Sequence, residues 1–123
     1  MKKKILLVDD SKTILMMERM VLGSGGYQIV TASDGEEGVA RALAERPDLI
    51  LMDVVMPKLS GFEACRRLRQ EEVTRDVPII LVTTRGEPSN VEAGYACGCT
   101  DYITKPIDSV ELLAKLRDQL GES

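Results

Sequence analysis

Residues 49–61, LILMDVVMPKLSG, place a single acid at the end of an apolar run. Leu49–Met52 is too short for a helix and predicts a fully buried strand. Asp53 follows directly, and three apolar residues and Pro57 come after it. A carboxylate buried among such neighbours is unfavourable unless it is paired or binds a cation. The stretch therefore raises the question of which charged groups Asp53 faces.

Short strand-like runs recur along the chain and alternate with helix-length amphipathic segments. The other strands are predicted at Ile5–Val8, Tyr27–Ala32, Ile79–Val82 and Thr100–Thr104. Capping patterns mark three helix starts, at Ser33-x-x-Glu36, Ser60-x-x-Glu63 and Asp108-x-x-Glu111. Two more helices are predicted at residues 11–22 and 88–97, and the second of these is weakened by Gly94 in its interior.

The helical stripes predict which side chains face the core. Helical spacing puts Ile14, Met17 and Val21 on the apolar face of the first helix. In the last helix the stripe consists of Leu113, Leu116 and Leu120. Met16, Met17 and Met20 could form a partner surface, but Met17 at least is expected to fill core space.

Five strands alternating with five helices predict an α/β domain with a parallel sheet covered by helices on both faces. The first, third and fourth strands are apolar throughout, as in central strands, whereas the second and fifth contain polar residues, as at edges. This pattern predicts the doubly wound, flavodoxin-like order 2-1-3-4-5, in which ligands bind beyond the carboxyl ends of the strands. The length of 123 residues predicts one domain, residues 1–123.

Composition excludes several classes of function. The net charge of −4 disfavours direct nucleic-acid binding, and no apolar run reaches the ~20 residues of a membrane span. Lys2–Lys4 are followed by only four apolar residues, so no signal peptide is indicated and a cytoplasmic chain is expected. Histidine is absent, which excludes His-based zinc sites and Ser-His or Cys-His pairs. The three cysteines are read as small buried hydrophobes rather than metal ligands.

Polar side chains follow four of the predicted strands. Asp9 and Asp10 follow the first strand, Asp53 the third, Thr83 and Thr84 the fourth, and Lys105-Pro106 the fifth. Carboxyl ends of parallel strands lie at the same edge of a sheet, so these groups are expected to converge there.

The charges at this edge predict a metal site. Two like charges about 4 Å apart repel by ~4 kcal/mol at an effective dielectric constant near 20, so three clustered acids would not all stay ionised unaided. Lys105 offsets one charge and leaves about −2, which a divalent cation matches. Oxygen ligands favour Mg²⁺, with Mn²⁺ as a substitute. An acidic nucleophile, a metal, a hydroxyl at Thr83 and an ammonium at Lys105 are the parts used in phosphoryl transfer.

The chain resembles the receiver domain of the two-component response-regulator family over essentially its whole length, and is similar to single-domain chemotaxis-type regulators. The resemblance rests on an ordered set of motifs: Asp9-Asp10, Asp53-x-x-Met56-Pro57-x-x-x-Gly61, Pro78-Ile-Ile-Leu-Val-Thr83 and Asp101-Tyr102-Ile-Thr-Lys105-Pro106. It implies a phosphorelay switch, a phosphoprotein that carries an aspartyl phosphate. Such a chain assists its own phosphorylation and dephosphorylation and is otherwise not an enzyme.

The resemblance also implies roles for individual residues. Asp53 would accept a phosphoryl group from a histidine kinase or a histidine phosphotransfer protein. Asp10, Asp53 and the backbone carbonyl of Val55 would hold Mg²⁺, and Asp9 would act on the ion mainly through a water. Lys105 would pair with the aspartate and then with the phosphoryl group, and the Lys105–Pro106 bond would be cis.

For switching, the resemblance implies that Thr83 moves inward and that Tyr102 rotates. The surface of the fourth helix, fifth strand and fifth helix would then bind a downstream partner. From the residues alone, Tyr102 also fits an edge-strand aromatic with its hydroxyl in water. Val55 and Arg85 occupy positions that tune phosphate lifetime in the family. Val55 predicts slow self-hydrolysis, and the role of Arg85 stays open. Gly86, Pro88 and Gly94 predict a short or mobile fourth helix.

Three other functions are weighed. A Mg²⁺-dependent phosphatase or phosphotransferase with an aspartyl nucleophile uses a similar residue set, but enzymes of the haloacid-dehalogenase type carry a second acid where this chain has Val55. A phosphorylation-independent binding module would not need the intact acids. A flavodoxin-like cofactor binder is disfavoured because few aromatics could stack on a flavin, so no organic cofactor is expected.

Overall fold

The computed structural model describes residues 2–84 and 96–121. Five parallel strands form one sheet in the order β2-β1-β3-β4-β5, which confirms the predicted topology. Their bounds are β1 Lys4–Val8, β2 Gln28–Ala32, β3 Leu49–Asp53, β4 Ile79–Thr84 and β5 Asp101–Lys105. β3 is buried along its whole length, whereas the edge strand β2 is largely accessible, in line with their compositions.

Four helices are described in full: α1 Lys12–Gly23, α2 Gly35–Glu45, α3 Gly61–Gln70 and α4 Ser109–Gln119. Of the helix predicted at 88–97, residues 96 and 97 are helical and the rest lies outside the described residues. The prediction that this segment is short or mobile, and the position of Arg85, therefore lie outside the described residues as well. No helix within the described ranges is long and apolar enough to span a bilayer.

Side-chain caps begin the helices close to where the patterns predict. Ser60 accepts a hydrogen bond from the Glu63 amide at 3.3 Å, and Asp108 accepts one from the Val110 amide at 2.9 Å. The cap predicted at Ser33 is wrong by one residue, because Asp34 caps α2 by accepting from the Glu37 amide at 2.8 Å. The Ser33 backbone N–H, one residue before this cap, donates to Glu37 Oε1 at 2.6 Å and further ties the start of α2.

Two hydrophobic clusters fill the space between the sheet and the helices. Alternate residues of the central strands point to opposite faces, so that Leu6 and Met52 lie in one cluster and Leu7 and Leu51 in the other. The first cluster includes Ala42 of α2 and Leu68 of α3, and the second includes Leu22 of α1 and Leu112 and Leu116 of α4. Helices therefore cover both faces of the sheet, as predicted.

The inward face of α1 differs from the prediction. The buried residues of this helix are Glu18 and Leu22, whereas Met17 is 41 % exposed and Val21 is partly buried. The core role predicted for Met17 is therefore wrong. The inward stripe is Leu15, Glu18 and Leu22, because packing against both the sheet and α4 rotates the helix by about one residue. In α4 the buried residues are Leu112 and Leu116, and Leu113 and Leu120 pack at the edge of the cluster.

Candidate functional site

Strand register brings three carboxylates to one edge of the sheet. Val8 of β1 lies opposite Met52 of β3, so the next residues, Asp9 and Asp53, are neighbours at the carboxyl ends. Asp10 completes the group, and one oxygen of each carboxylate lies within 4.8 Å of the others. Asp9 and Asp53 are buried, at 1 % and 5 % exposed, and Asp10 is exposed. The predicted convergence of these three acids is present in the structure.

The Lys105 side chain extends from the edge strand β5 to the buried carboxylates Asp9 and Asp53. Its strand is two positions from β3, yet its Nζ lies 3.3 Å from Asp53 Oδ1 and 4.0 Å from Asp9 Oδ2. The following Lys105–Pro106 peptide bond is cis, as expected from the resemblance. A single ammonium therefore faces two buried carboxylates.

Backbone amides hold one oxygen of each buried acid. The Ser11 N–H donates to Asp9 Oδ1 at 2.9 Å, and the Val54 N–H donates to Asp53 Oδ1 at 3.0 Å. Asp9 Oδ2 is fully buried and accepts no hydrogen bond from any described residue. A buried carboxylate oxygen without a hydrogen bond is a suitable ligand for a cation. Burial removes its solvation, and a nearby positive charge compensates for that loss.

Burial raises the pKa of Asp9 and the pKa of Asp53 above their ordinary values. For Asp53 the desolvation is reinforced by the Asp9 charge and opposed by Lys105 and the Val54 amide. For Asp9 the desolvation is opposed by the Ser11 amide and by Lys105, and the Asp10 charge adds to it. Both carboxylates therefore ionise more readily when additional positive charge is near them.

The donor set fits a hard divalent cation. Three carboxylates and no nitrogen or sulfur ligand match the oxygen preference of Mg²⁺, and the acids outnumber the single lysine. Within the described ranges no other group of acids or cysteines is close enough to share an ion. The three cysteines are buried and unbridged, as small hydrophobes are expected to be.

Three further predicted residues lie at or near this edge. Thr83 is 4 % exposed and sits one position beyond Val82, the register partner of Asp53. The side chain of Val55 is 71 % exposed. Tyr102, on β5, is partly buried and packs against the cluster that contains α2 and α3. The roles assigned to these residues stay predictions.

The loop after Asp53 is held against the site by a glycine. The Gly61 N–H donates to the Val54 carbonyl at 2.8 Å. A Cβ built on Gly61 would overlap the Asp53 carbonyl oxygen and lie 2.9 Å from Val54 Cα. Only glycine lets the first turn of α3 approach the strand end so closely. The sequence predicts a loop held close by Pro57 and Gly61, and the structure shows that the restriction is a backbone contact at Gly61.

Sequence reasoning missed two residues. Gly35 begins α2 directly against the Leu59 carbonyl, where a Cβ would overlap, and its position in the sequence shows no sign of this contact. Glu18 is buried at 2 % exposure near the acids, and this position could have been found. It lies four residues after Ile14 and four before Leu22, and so belongs to an apolar stripe.

The chain is similar in sequence to two named bacterial proteins. It is 42 % identical over 123 residues to the alkaline phosphatase synthesis transcriptional regulatory protein PhoP of Bacillus subtilis (strain 168), covering 100 % of this chain and 50 % of PhoP. It is 43 % identical over 118 residues to protein PilH of Pseudomonas aeruginosa, covering 96 % of this chain and 98 % of PilH. The chain thus spans about half the length of PhoP and of other transcriptional regulators among its relatives.

A solved structure gives the same result for the fold. The receiver domain of the sensor histidine kinase PA1611 from Pseudomonas aeruginosa PAO1 superposes with a TM-score of 0.92 at 34 % identity, covering 99 % of this chain and 100 % of that domain. That structure has a magnesium ion coordinated in its active site cleft. The sequence profile of the response regulator receiver domain family matches residues 5–117 of this chain. The chain therefore belongs to the response regulator receiver domain family, the phosphorylation-based signalling module of two-component systems.

Proposed function

We propose that the chain is a phosphorylation-controlled switch in which Asp53 accepts a phosphoryl group from a phosphohistidine. The donor would be a histidine kinase or a histidine phosphotransfer protein. The observation that carries the proposal is the position of Lys105 Nζ, 3.3 Å from Asp53 Oδ1, beside three carboxylates that share one site. The chain then assists its own phosphorylation and dephosphorylation and has no other enzymatic role.

We infer different tasks for the two oxygens of Asp53. Oδ1 accepts the Val54 N–H and pairs with Lys105, which leaves Oδ2 as the oxygen proposed to attack phosphorus. A P–O bond forms as the N–P bond of the phosphohistidine breaks, and the electron pair of that bond stays on the imidazole nitrogen, which takes up a proton. The attacking carboxylate must be ionised, and Lys105 favours this state by lowering the pKa that burial raises.

The acids also provide the expected metal site. Asp9, Asp10, Asp53 and the Val55 carbonyl would hold Mg²⁺, and the buried Asp9 Oδ2, which accepts no hydrogen bond from any described residue, supports this assignment. When bound, the ion neutralises charge that develops on the phosphoryl oxygens. Substitution by Mn²⁺ stays a prediction. Thr83 lies beside the strand end of Asp53 and would contact the phosphoryl oxygens from the β4 side.

The switch proposed for this chain joins Thr83 to Tyr102. Thr83 would move toward the phosphoryl group and Tyr102 would rotate, altering the surface formed by the predicted fourth helix, β5 and α4 and changing binding of a downstream protein partner. Tyr102 packs on the core cluster that contains residues of α2 and α3. The net charge of −4 does not favour direct binding of nucleic acid. Location in the cytoplasm stays a prediction.

The test is phosphorylation by a small donor. The chain is incubated with acetyl phosphate and Mg²⁺, and its intact mass is measured. We expect one added phosphoryl group on the wild type and none on Asp53→Asn, because an amide is not a nucleophile at this position. Asp34→Asn, which changes an acid that caps α2, is the matched control and should gain the group normally. Phosphorylation of Asp53→Asn at the wild-type level would contradict the proposal.

A further inference from the structure

The strand β2 lies at an edge of the sheet, and among the described strands it pairs with β1 alone. The Gln28 N–H donates to the Lys3 carbonyl at 2.9 Å, and the Ala32 carbonyl accepts from the residue that follows β1 at 3.1 Å. Because alternate residues of a strand bond to the same neighbour, the N–H and C=O groups of Ile29 and Thr31 point away from β1. A strand edge of this kind can pair with a further strand.

Two adjoining hollows, of about 200 Å³ and about 270 Å³, lie along the edge of β2. Both are lined by Lys12, Leu15 and Thr31, so together they form one groove, which we call the β2 groove. The first hollow continues along α1 to Arg19, and the second continues to Arg41 of α2. Since α1 and α2 cover opposite faces of the sheet, the groove extends from one face to the other past the outward backbone groups of Thr31.

Positive charge dominates the β2 groove. Lys12, Arg19 and Arg41 line it and are all exposed, although the chain as a whole has a net charge of −4. The acid in the lining, Glu37, lies one helical turn before Arg41. Its Oε1 already accepts hydrogen bonds from the Ser33 N–H at 2.6 Å and from the Ser33 hydroxyl at 2.9 Å. Three exposed cations beside one engaged acid favour an anionic partner.

The outward backbone groups and the cations together define the partner. A strand added to β2 would lie about 4.8 Å from it and direct successive side chains to opposite faces of the sheet. Consecutive acids on that strand would meet Lys12 and Arg19 on the α1 side and Arg41 on the α2 side. A second copy of the chain would bring the same cations against each other, so charge disfavours pairing of two β2 edges. We propose that the β2 groove binds an extended acidic segment of a partner protein, which adds to the sheet as a sixth strand.

The probe is a blocked heptapeptide with three consecutive acids between two pairs of β-branched residues. The ¹⁵N-labelled, unphosphorylated chain is titrated with this peptide, and NMR follows its chemical shifts and amide hydrogen exchange. We expect saturable shifts along β2 and slower exchange of the Ile29 and Thr31 amides, because both N–H groups gain an acceptor. A neutral peptide with glutamine and asparagine in place of the acids should bind about tenfold more weakly. Equal affinities of the two peptides, or unchanged exchange at Ile29 and Thr31, would overturn the proposal.

Variants that remove charge test the two faces of the groove. Arg19→Gln and Arg41→Gln should each weaken binding of the acidic peptide about two- to fivefold, as expected for one exposed ion pair, and together by about tenfold. Arg67→Gln, on the exposed side of α3, is the matched control and should bind as the wild type does. Wild-type affinity of the double variant would refute the site.

A backbone variant tests the strand pairing. Thr31→Pro removes an outward N–H and keeps the bonds of β2 to β1, so the peptide should bind about tenfold more weakly, whereas Thr31→Val should bind normally. Wild-type affinity of Thr31→Pro would contradict the pairing, and the arginine variants decide the question if Thr31→Pro does not fold. Sedimentation of the free chain as a dimer that Thr31→Pro abolishes would assign this edge to a second copy and overturn the proposal. Phosphorylation of Asp53 is tested separately, so the two proposals fail independently.

Discussion

The acidic edge of the sheet and the inward face of α1 both contain buried carboxylates, but these carboxylates have different partners. At the edge, Asp9 and Asp53 each accept a backbone hydrogen bond, and both face Lys105. On α1, Oε1 of Glu18 accepts no hydrogen bond from any described residue. Burial raises the pKa of the carboxyl in all three cases and Lys105 opposes it in all three, but a backbone hydrogen bond opposes it only at the edge.

The comparison shows what distinguishes a prepared ionic site from an uncompensated buried acid. Partners at the edge hold one oxygen of each carboxylate in place and leave the other available for a ligand or for chemistry. Glu18 has no backbone donor of this kind, so desolvation outweighs the attraction of Lys105 and raises the pKa of Glu18 to about 8. Four predictions test this contrast, beginning with the largest effect.

The first prediction concerns Lys105, whose Nζ pairs with Asp53 Oδ1 at 3.3 Å. Lys105→Met removes the ammonium beside Asp53, so the pKa of Asp53 should rise and the rate of phosphorylation by acetyl phosphate should fall by about 100-fold, the effect of losing one charge-stabilising donor. The rate is followed by intact mass, and the carboxyl titration by ¹³C NMR. Lys58→Met is the control, since the Lys58 side chain is 63 % exposed and its one ion pair within the described residues is with Asp34 at 3.7 Å. Similar rates in both variants would mean that Lys105 does not act on Asp53.

The second tests whether the edge depends on close backbone packing. Gly61→Ala forces a Cβ onto the Asp53 carbonyl, and overpacking of this kind lowers the free energy of unfolding by about 1–3 kcal/mol. Urea unfolding measures the change. Gly23→Ala, at the end of α1 with no atom within 4 Å of the added Cβ, should leave stability unchanged or slightly higher. Equal stabilities of the two variants would show that the loop moves aside without cost.

The third removes the acid that has no partner. The pKa of Glu18 is about 4.5 when unfolded and about 8 when folded, so between these values the folded chain holds the extra proton and stability falls as pH rises. Glu18→Leu abolishes this contribution and restores the apolar stripe. We expect the free energy of unfolding of the variant to exceed that of the wild type by about 2 kcal/mol above pH 8 and by less at pH 5.

Unfolding in urea at pH 5 and pH 9 measures that difference. The contributions of Asp9 and Asp53, whose raised pKa values act with the same sign, remain in both proteins and cancel. Glu111→Leu, at an exposed position of α4, should not change the pH dependence. A gain that is the same at both pH values would show that Glu18 does not titrate in this window.

The fourth and smallest effect concerns the open side of the edge. Val55 is 71 % exposed and offers no polar group to align an attacking water, which predicts slow loss of the phosphoryl group. Val55→Asn adds one hydrogen bond of about 0.5–1.5 kcal/mol, so the half-life of the phosphorylated chain should shorten by about two- to tenfold. Intact mass over time measures the decay, and Val110→Asn, an exposed valine on α4, is the control. Identical half-lives of Val55→Asn and the wild type would end the idea.

The order of the strands and the residues at the edge of the sheet follow from the sequence alone. Apolar runs identify the central strands, and polar residues follow where each strand ends, so that Asp9, Asp53 and Lys105 had to meet once the strands were parallel. This inference is robust because it depends only on the direction of the strands and on their order. Side chains two strands apart, such as Asp53 and Lys105, meet because the lysine is long.

The rotation of α1 and the close contacts of two glycines are set by packing in the folded chain. A helix turns about 100° per residue, so a stripe read from the sequence can be wrong by one position, and Glu18 rather than Met17 faces inward. That choice follows from packing against the sheet and α4 together, which no local pattern contains. The contacts of Gly35 with Leu59 and of Gly61 with Asp53 likewise join segments whose separation is known only after folding. Local patterns report which groups must be buried or charged, and packing between distant segments decides which partner each of them meets.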